Sequence, residues 1–430
     1  MPPVCILPEF PEGERDLIYT AYEALRRSTR PLAWMFDTGT KLARDERNPL
    51  RNTLAMRAVA TAWELPARAL KDYGKPKYEV WEALGDLDVV VNEEIVHSLP
   101  FADLLRFDLD HSAAKPKVMI AAALSGHYGT LLQDTIRGFA QDHDTYITDW
   151  KDARQVPLSE GEFGFDDYVE HLITFMEVLG PGTHMVATCQ AAPPAMVAVA
   201  WLAKHKPELV PPSLTLMGGP VDTRVSPNVL GKIAEKVPLK LFEKNNIHTI
   251  PRGYPGSGRR VYPGFYQLAG FIALNPMPHV KQYRTFIAAS LKGEEAPLAK
   301  FRDFYDEYYA VLDMTEQFYI DTLQKVFMEH QIPKGTITYR GEKVDFGTIK
   351  DMALLTVEGG NDHLCPPGQT EAAHDVFRGI PPKKRKNYIQ EGVGHCGVFS
   401  GSKFQSGIYP VIRDFIGASV KTTDKVSAKA

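Results

Sequence analysis

A chain of 430 residues, 44% of them hydrophobic, is long enough to bury one large core together with an inserted subdomain. Its net charge of −4 offers no general attraction to nucleic acid, and it contains no run of about 18 apolar residues that could span a membrane. Four cysteines without paired spacing exclude a disulfide framework and suit a reducing compartment.

The N-terminus, Met1 to Phe10, has no basic region followed by a long apolar stretch. A secretion signal is therefore not expected, the expected compartment is the cytoplasm, and Cys5 reads as an incidental residue of a mobile terminus. Residues 1–112 read mainly as helices, with Leu17, Tyr22, Leu25, Leu32 and Trp34 among the apolar positions and Asn48-Pro49 as a break. Strands near 117–124, 144–149, 183–188, 212–217, 352–357 and 386–390, separated by helical stretches, predict an α/β fold with a doubly wound, mostly parallel sheet. The gap from 223 to 345 far exceeds the usual crossover connection and predicts an inserted cap. The expected organisation is thus a helical region (1–112), the first part of the core (113–222), the cap (223–345), the second part of the core (346–418) and a disordered tail (419–430), whose residues are small, polar and charged.

Within the cap, Phe301 to Tyr309 forms an aromatic-rich helical pattern that continues through Phe318, Tyr319, Leu323 and Phe327. Spacings of three and four predict a core-facing stripe. Phe304, Tyr305 and Tyr308, with Cys396 further on, are also candidates for lining an apolar channel. The glycine-rich run Gly253 to Arg260 lacks the G-K-[ST] ending of a phosphate loop and reads as a flexible cap loop. Lys383 to Lys386 reads as a solvated approach to a strand, with a CoA phosphate or an anionic surface as the alternative contact.

The chemistry concentrates at three strand ends. In Met185-Val186-Ala187-Thr188-Cys189-Gln190-Ala191-Ala192 a short apolar strand meets a small-residue turn and then a buried helix. A nucleophile in such a strained turn needs small neighbours two positions either side, and Ala187 and Ala191 supply them where G-x-S-x-G has glycines. Cys189 is the expected nucleophile, since a thiolate near an imidazole and a helix N-terminus is readily activated. Asp362 follows the strand 352–357 and His395 follows the strand 387–390, so the order nucleophile, acid, histidine is that of the α/β-hydrolase fold. His395 would take the thiol proton, and Asp362 would fix its tautomer. The oxyanion donors are expected from the backbone of Gln190 and of the loop after strand 117–124, at Gly126, His127 and Tyr128. A rival metal site from His363, Cys365, His395 and Cys396 lacks C-x-x-C or H-x-x-x-H spacing, and no metal is expected.

Met217 to Arg224, Arg260-Val261-Tyr262-Pro263-Gly264-Phe265 and Gly392 to Phe399 resemble the intracellular polyhydroxybutyrate depolymerases. Tyr146 to Trp150 and Asn361 to Pro367 are similar to the polyhydroxyalkanoate synthases, which share the hydrolase core. The resemblance runs from about residue 115 to 416 and implies an acyl-enzyme mechanism on an aliphatic polyester, with Cys189, Asp362 and His395 on the triad motifs. Gln190 and the prolines at 193 and 194 look like the depolymerase, since synthases tend to carry a pair of glycines there; His363 and Pro366-Pro367 look like the synthase. The implied function is depolymerisation of poly(3-hydroxybutyrate) by hydrolysis or thiolysis, with a synthase-type acyltransferase or a non-catalytic granule-associated protein as alternatives. No cofactor is expected, coenzyme A being an alternative acceptor to water. The implied partner is the polymer or its granule surface, and homodimerisation is left open.

Overall fold

The computed structural model describes residues 12–78, 80–84, 87–90, 92–108 and 115–427. Cys5 lies outside them. Helices α1 (Glu12–Arg44) and α2 (Leu54–Leu70) pack against each other as a hairpin, and the break at Asn48-Pro49 falls in the turn between them. Thr53 caps α2 by accepting from the Met56 N–H at 3.3 Å. The region expected to be mainly helical then turns to strands. β1 (Trp81–Leu84) pairs with β2 (Leu87–Val90), and β3 (Asn92–Ser98) pairs with β4 (Ala102–Asp108). β4 buries Ala102, Leu104, Leu105 and Phe107 and adds antiparallel to the main sheet, so the core begins before residue 113. The acidic pair Glu93-Glu94 in the edge strand β3 masked that pattern in the sequence.

The core then alternates β5 (Lys117–Ala121), α3 (Gln133–Asp142), β6 (Asp144–Trp150), α4 (Phe165–Leu179), β7 (His184–Thr188), α5 (Ala192–His205) and β8 (Ser213–Met217). All of β7 and β8 is buried, so they read as near-continuous runs. α5 opens on Pro193-Pro194, where first-turn N–H groups have no intrahelical partner to lose. It buries Ala195 to Val199 and Leu202 beneath the sheet's edge of chemistry.

Between β8 and the next core strand lie α6 (Val229–Ala234), α7 (Leu239–Asn246), β9 (His248–Thr249), β10 (Arg260–Tyr262), α8 (Gly264–Leu274), α9 (Pro276–Lys292), α10 (Glu295–Tyr308), β11 (Met314–Thr315), α11 (Glu316–Thr322), α12 (Gln331–Lys334), β12 (Thr338–Tyr339) and β13 (Glu342–Lys343). Phe286, Leu298, Phe301, Tyr305 and Tyr308 form a separate aromatic core here, against which Leu65 of α2 packs. Glu64 of α2 ties three helices together, accepting from Arg44 of α1 at 2.7 Å and from Arg302 of α10 at 2.7 and 3.0 Å. The expected continuous aromatic helix is two helices, because the chain leaves α10 at Tyr308 and pairs as β11 before α11 begins. The run Gly253 to Arg260, expected to be flexible, is pinned: buried Arg259 donates to the carbonyls of Gly161 at 2.5 Å and Pro157 at 2.8 Å and lies over Phe101.

The core closes with β14 (Ala353–Gly359), α13 (Ala373–Val376), β15 (Arg385–Gln390) and α14 (Tyr409–Ser427). α14 carries the chain to Ser427, so the tail expected to be disordered from 419 begins as helix, continuing from a turn anchored by buried Ile412 and Ile416. The eight strands run in the order β15-β14-β8-β7-β5-β6-β4-β3, with β5, β6, β7, β8, β14 and β15 parallel. Helices separate the parallel strands, and the fold is that of an α/β hydrolase. The sheet grows one way from β5 to β6 and the other way from β5 to β7. That reversal opens a crevice beyond the carboxyl ends of β5 and β7, where ligands bind in such sheets. Lys383 to Lys386 stands at the amino end of β15, the opposite edge, and so is remote from the crevice.

Candidate active site

Cys189 is the first residue after β7 and has φ of +50°, in the left-handed region that side chains adopt only at a cost of about 1–2 kcal/mol. The turn is held by what surrounds it: Ala187, Ala191 and Ala192 are wholly buried. Gly219, after β8, has no room for a side chain, since a Cβ there would stand 2.2 Å from that of Ala192 and 3.0 Å from the Cys189 carbonyl. Thr370 fastens Gly219 by both ends of its peptide group, accepting from its N–H at 2.9 Å and donating to its carbonyl at 3.0 Å. Strain of this kind persists only where the neighbourhood over-determines it.

Three residues 206 positions apart at the extremes meet at this turn. His395 Nε2 lies 3.2 Å from Cys189 Sγ, and His395 Nδ1 lies 2.7 Å from Asp362 Oδ2. The second oxygen of Asp362 accepts the N–H groups of Leu364 at 2.8 Å and Cys365 at 2.9 Å. Its carboxylate is therefore aimed, with Oδ2 left for the imidazole. Glu358, the other carboxylate of that strand and loop, is spent on three backbone N–H groups at Gly368, Thr370 and Glu371. Asp362 and His395 are buried and Cys189 is half-buried. Burial disfavours a charged His395, but the Cys189 sulfur and the Asp362 carboxylate together hold its pKa well above the ordinary imidazole range.

Cys189 and His395 open into a cavity of about 1210 Å³. Phe304, Tyr305, Tyr308 and Cys396 all line it, as do His127 and Tyr128. Gly126 has φ of +96°, and its carbonyl accepts from Leu312 at 2.8 Å, which bends the loop after β5 toward the cap. Of the expected oxyanion residues, Gln190 follows cavity-lining Cys189 and Gly126 lies between cavity-lining Ser125 and His127, and the Gln190 side-chain oxygen is buried without a partner. The Tyr128 hydroxyl points to buried Asp152 at 3.5 Å. The Cys396 thiol is open to the cavity yet ringed by protein, and burial pushes its pKa up. Buried Cys365 sits at 3.6 Å from Thr370 Oγ1, and its thiol is pushed well up by burial. Among the described residues no group of three or more His, Cys, Asp and Glu converges as a metal site.

The sequence offered His127 as a backbone oxyanion donor, whereas the placement of its ring and the lining residues Lys71, Tyr73, Lys77 and His279 carried no local signal. His127 is stacked near Phe271 and Tyr308, with Nε2 at 3.2 Å from the Tyr308 carbonyl, and burial lowers its pKa to about 4. Since a carbonyl only accepts, Nε2 carries the proton. His279, bonded to the Tyr305 hydroxyl at 2.9 Å, and His363 also have pKa values lowered by burial, so three neutral imidazoles border the cavity. The extended stretch from Lys71 to Tyr78 crosses one side, placing Lys71, Tyr73 and Lys77 in the wall. It is tied down by buried Asp149, which pairs with Lys75 and accepts from the Tyr78 hydroxyl at 3.0 Å. Asp149 comes from β6, and such long-range contacts leave no periodicity to read.

Sequence comparison finds similarity over parts of the chain. A family model described as PHB de-polymerase C-terminus matches residues 218–420, a stretch that holds Asp362 and His395 but not Cys189. A poly(3-hydroxyalkanoate) polymerase subunit PhaC from Haloferax mediterranei is 23% identical over 111 residues, 26% of this chain and 22% of that protein. The corresponding subunit from Haloarcula marismortui is 25% identical over 104 residues, 24% of this chain and 21% of that protein. The chain thus aligns with about a fifth of the length of these curated relatives. Among solved structures, a hydrolase from Pseudomonas aeruginosa aligns with a TM-score of 0.43 at 12% identity, over 76% of this chain and 98% of that one. A monoacylglycerol lipase from Paleococcus ferrophilus aligns with a TM-score of 0.39 at 12% identity, over 74% and 99%. In sequence the chain is related to proteins of the polyhydroxyalkanoate system, with depolymerase and polymerase both represented.

Proposed function

We propose that this chain is a thiol esterase that cleaves poly(3-hydroxyalkanoate) of short side chain, poly(3-hydroxybutyrate) foremost, through an acyl-enzyme. The observation that carries the reading is the hydrogen-bonded series Cys189, His395, Asp362, the first two on the wall of a cavity large enough for several repeat units. The family-model match over residues 218–420 supports the polyester as substrate.

Cys189 Sγ attacks the ester carbonyl carbon while His395 Nε2 holds the thiol proton, and Asp362 stabilises the resulting imidazolium. The oxyanion is met by backbone N–H groups of Gln190 and of the loop at Gly126 to Tyr128. When the C–O bond breaks, His395 gives its proton to the leaving hydroxyl. It then takes a proton from the acceptor, which attacks the thioester carbonyl and frees the sulfur. Water gives a hydroxy acid and coenzyme A gives a hydroxyacyl thioester. The aromatic rings of Phe271, Phe304, Tyr305 and Tyr308 on the wall suit the aliphatic part of this cargo, and buried His127 adds an uncharged imidazole among them.

The test incubates the protein with amorphous poly(3-hydroxybutyrate), with and without coenzyme A, and quantifies soluble products by mass spectrometry against Cys189→Ala. Release that depends on Cys189 supports the reading, and no release sinks it. The similarity to the archaeal polymerase subunits and the Pro366-Pro367 turn favour a second reading, polymerisation from a 3-hydroxyacyl-CoA on the same cysteine. Polymer formed from that substrate would select it.

A further inference from the structure

Residues 311–313, the link between α10 and β11 of the cap, touch the core at two places. At the first, the Leu312 N–H donates to the Gly126 carbonyl at 2.8 Å, and Val311 faces His127 as an isolated antiparallel bridge. The peptide joining Gly126 to His127 is trans, so its N–H points opposite to that carbonyl. The His127 N–H is thereby turned away from the link, and among the described residues it donates to no other group. Ala121 at the end of β5 pairs with Ala187 of β7, so this loop starts beside the turn that carries Cys189.

At the second place the link is held by carboxylates. Buried Asp152, in the turn after β6, accepts from the Asp313 N–H at 3.2 Å, and the Ala153 N–H donates to the Asp313 carbonyl at 3.1 Å. Arg154 fixes Asp152 in turn, donating to it at 2.6 and 3.1 Å. The buried Asp313 side chain reaches the other way, accepting from the Gly264 N–H at the start of α8 at 2.9 Å and from the Tyr19 hydroxyl of α1. Gly264 has no room for a side chain, since a Cβ would stand 2.7 Å from the Leu312 carbonyl and 2.9 Å from Val311. Two buried carboxylates are costly to keep, and here both bear on the one link.

We propose that Asp152 and Asp313 are positioning residues for ester cleavage: they hold residues 311–313 so that the link sets the loop after β5 and aims the His127 N–H at the carbonyl oxygen under attack. The proposal rests on the polyester esterase reading above. An oxyanion donor must be held within about half an ångström of its productive place. Gly126, with φ of +96°, lies in neither helix nor strand, so that precision has to come from a partner.

The test compares wild type with Asp313→Ala, Gly264→Ala and Asp313→Asn. Asp313→Ala strips the buried Tyr19 hydroxyl and the Gly264 N–H of their acceptor, whereas Gly264→Ala keeps every polar partner and presses on the Leu312 carbonyl. Burial, with Asp152 beside it, pushes the Asp313 pKa up to about 7, so in mildly acidic buffer the neutral carboxyl offers the donor and acceptor that the Asn amide offers. The readouts are kcat and KM on a soluble 3-hydroxybutyrate dimer ester, alkylation of Cys189 by iodoacetamide, which needs the thiolate but forms no oxyanion, and amide exchange of residues 310–314 by mass spectrometry. For both Ala variants the expected kcat is lower by roughly 10- to 100-fold, with KM and alkylation within about twofold of wild type. Exchange should quicken in both, and Asp313→Asn should rescue most of the loss. Unchanged kcat in Gly264→Ala overturns the proposal, as does alkylation that falls in step with kcat, exchange that stays as in wild type, or an Asn variant as impaired as Asp313→Ala. A wild type that cleaves no ester, while exchange still quickens in the Ala variants, refutes the esterase reading and upholds the grip of the two carboxylates on the link.

Discussion

The Cys189 sulfur stands 3.2 Å from His395 Nε2 although the cysteine occupies a backbone conformation that opposes it, with φ of +50°. Position and strain belong together, because the left-handed turn is what lifts the sulfur clear of β7 toward the imidazole. Replacing Cys189 by Gly should therefore give a protein more stable than Cys189→Ala by about 1 kcal/mol, the left-handed penalty of a Cβ, with both variants inactive. Thermal denaturation of the two decides it, and equal stability would mean that the turn carries no strain.

His395 gives a pH signature. Its folded pKa is raised above the unfolded one, so the stability it contributes is complete below the ordinary imidazole pKa, about 6.5, and is lost as pH rises through the folded value. In Asp362→Asn the carboxylate is gone and burial acts with less opposition. The stability difference between wild type and variant should be largest near pH 6 and shrink towards alkaline pH, measured as denaturant midpoints across that range. A difference independent of pH would refute the assignment.

Acid should act in the opposite sense through other histidines. Burial lowers the pKa of His127, His143 and His184 to about 4, so each adds stability that is present above about 6.5 and is lost as pH falls through 4. His184 Nδ1 lies 2.7 Å from Ser213 Oγ, joining β7 to β8 at their amino ends, the far end of the strands from Cys189. Replacement by Gln, which cannot charge, should move the acid unfolding midpoint to lower pH, as followed by circular dichroism.

Thr370 holds both ends of the Gly219 peptide group. Thr370→Val keeps the shape and removes both hydrogen bonds, leaving the buried Gly219 N–H unpaired at a cost of about 1–3 kcal/mol, while the Gly219 carbonyl keeps the Val221 N–H at 3.0 Å. We expect a lower melting temperature and a fall in kcat, because Gly219 abuts the Cys189 carbonyl and Ala192. Thr370→Ser should restore most of both.

The elements legible in the sequence were those whose periodicity is local. β7, β8 and β14 are buried throughout and stand out as runs, and turns at their carboxyl ends announced Cys189 and Asp362. β15, an edge strand that is nowhere fully buried, still led to His395 because a glycine-rich loop follows it. β3 and β4 escaped because edge charges hide the hairpin, and Arg259 escaped because a buried arginine in a glycine-rich run looks like solvent. The loop after β5 already offered His127 as a backbone donor, but its ring and the Lys71 to Tyr78 stretch are held at the cavity by partners far off in sequence, Tyr308 and Asp149, and no window of sequence contains such a pair.

Glu64 binds Arg44 on one side and Arg302 on the other, so α1, α2 and α10 form a lever rather than three separate helices. Displacement of the hairpin, by whatever presses on it, pulls on the same helix that carries Phe304, Tyr305 and Tyr308 along the cavity. The width of the cavity along α10 is thereby coupled to the position of a hairpin that itself lines none of it.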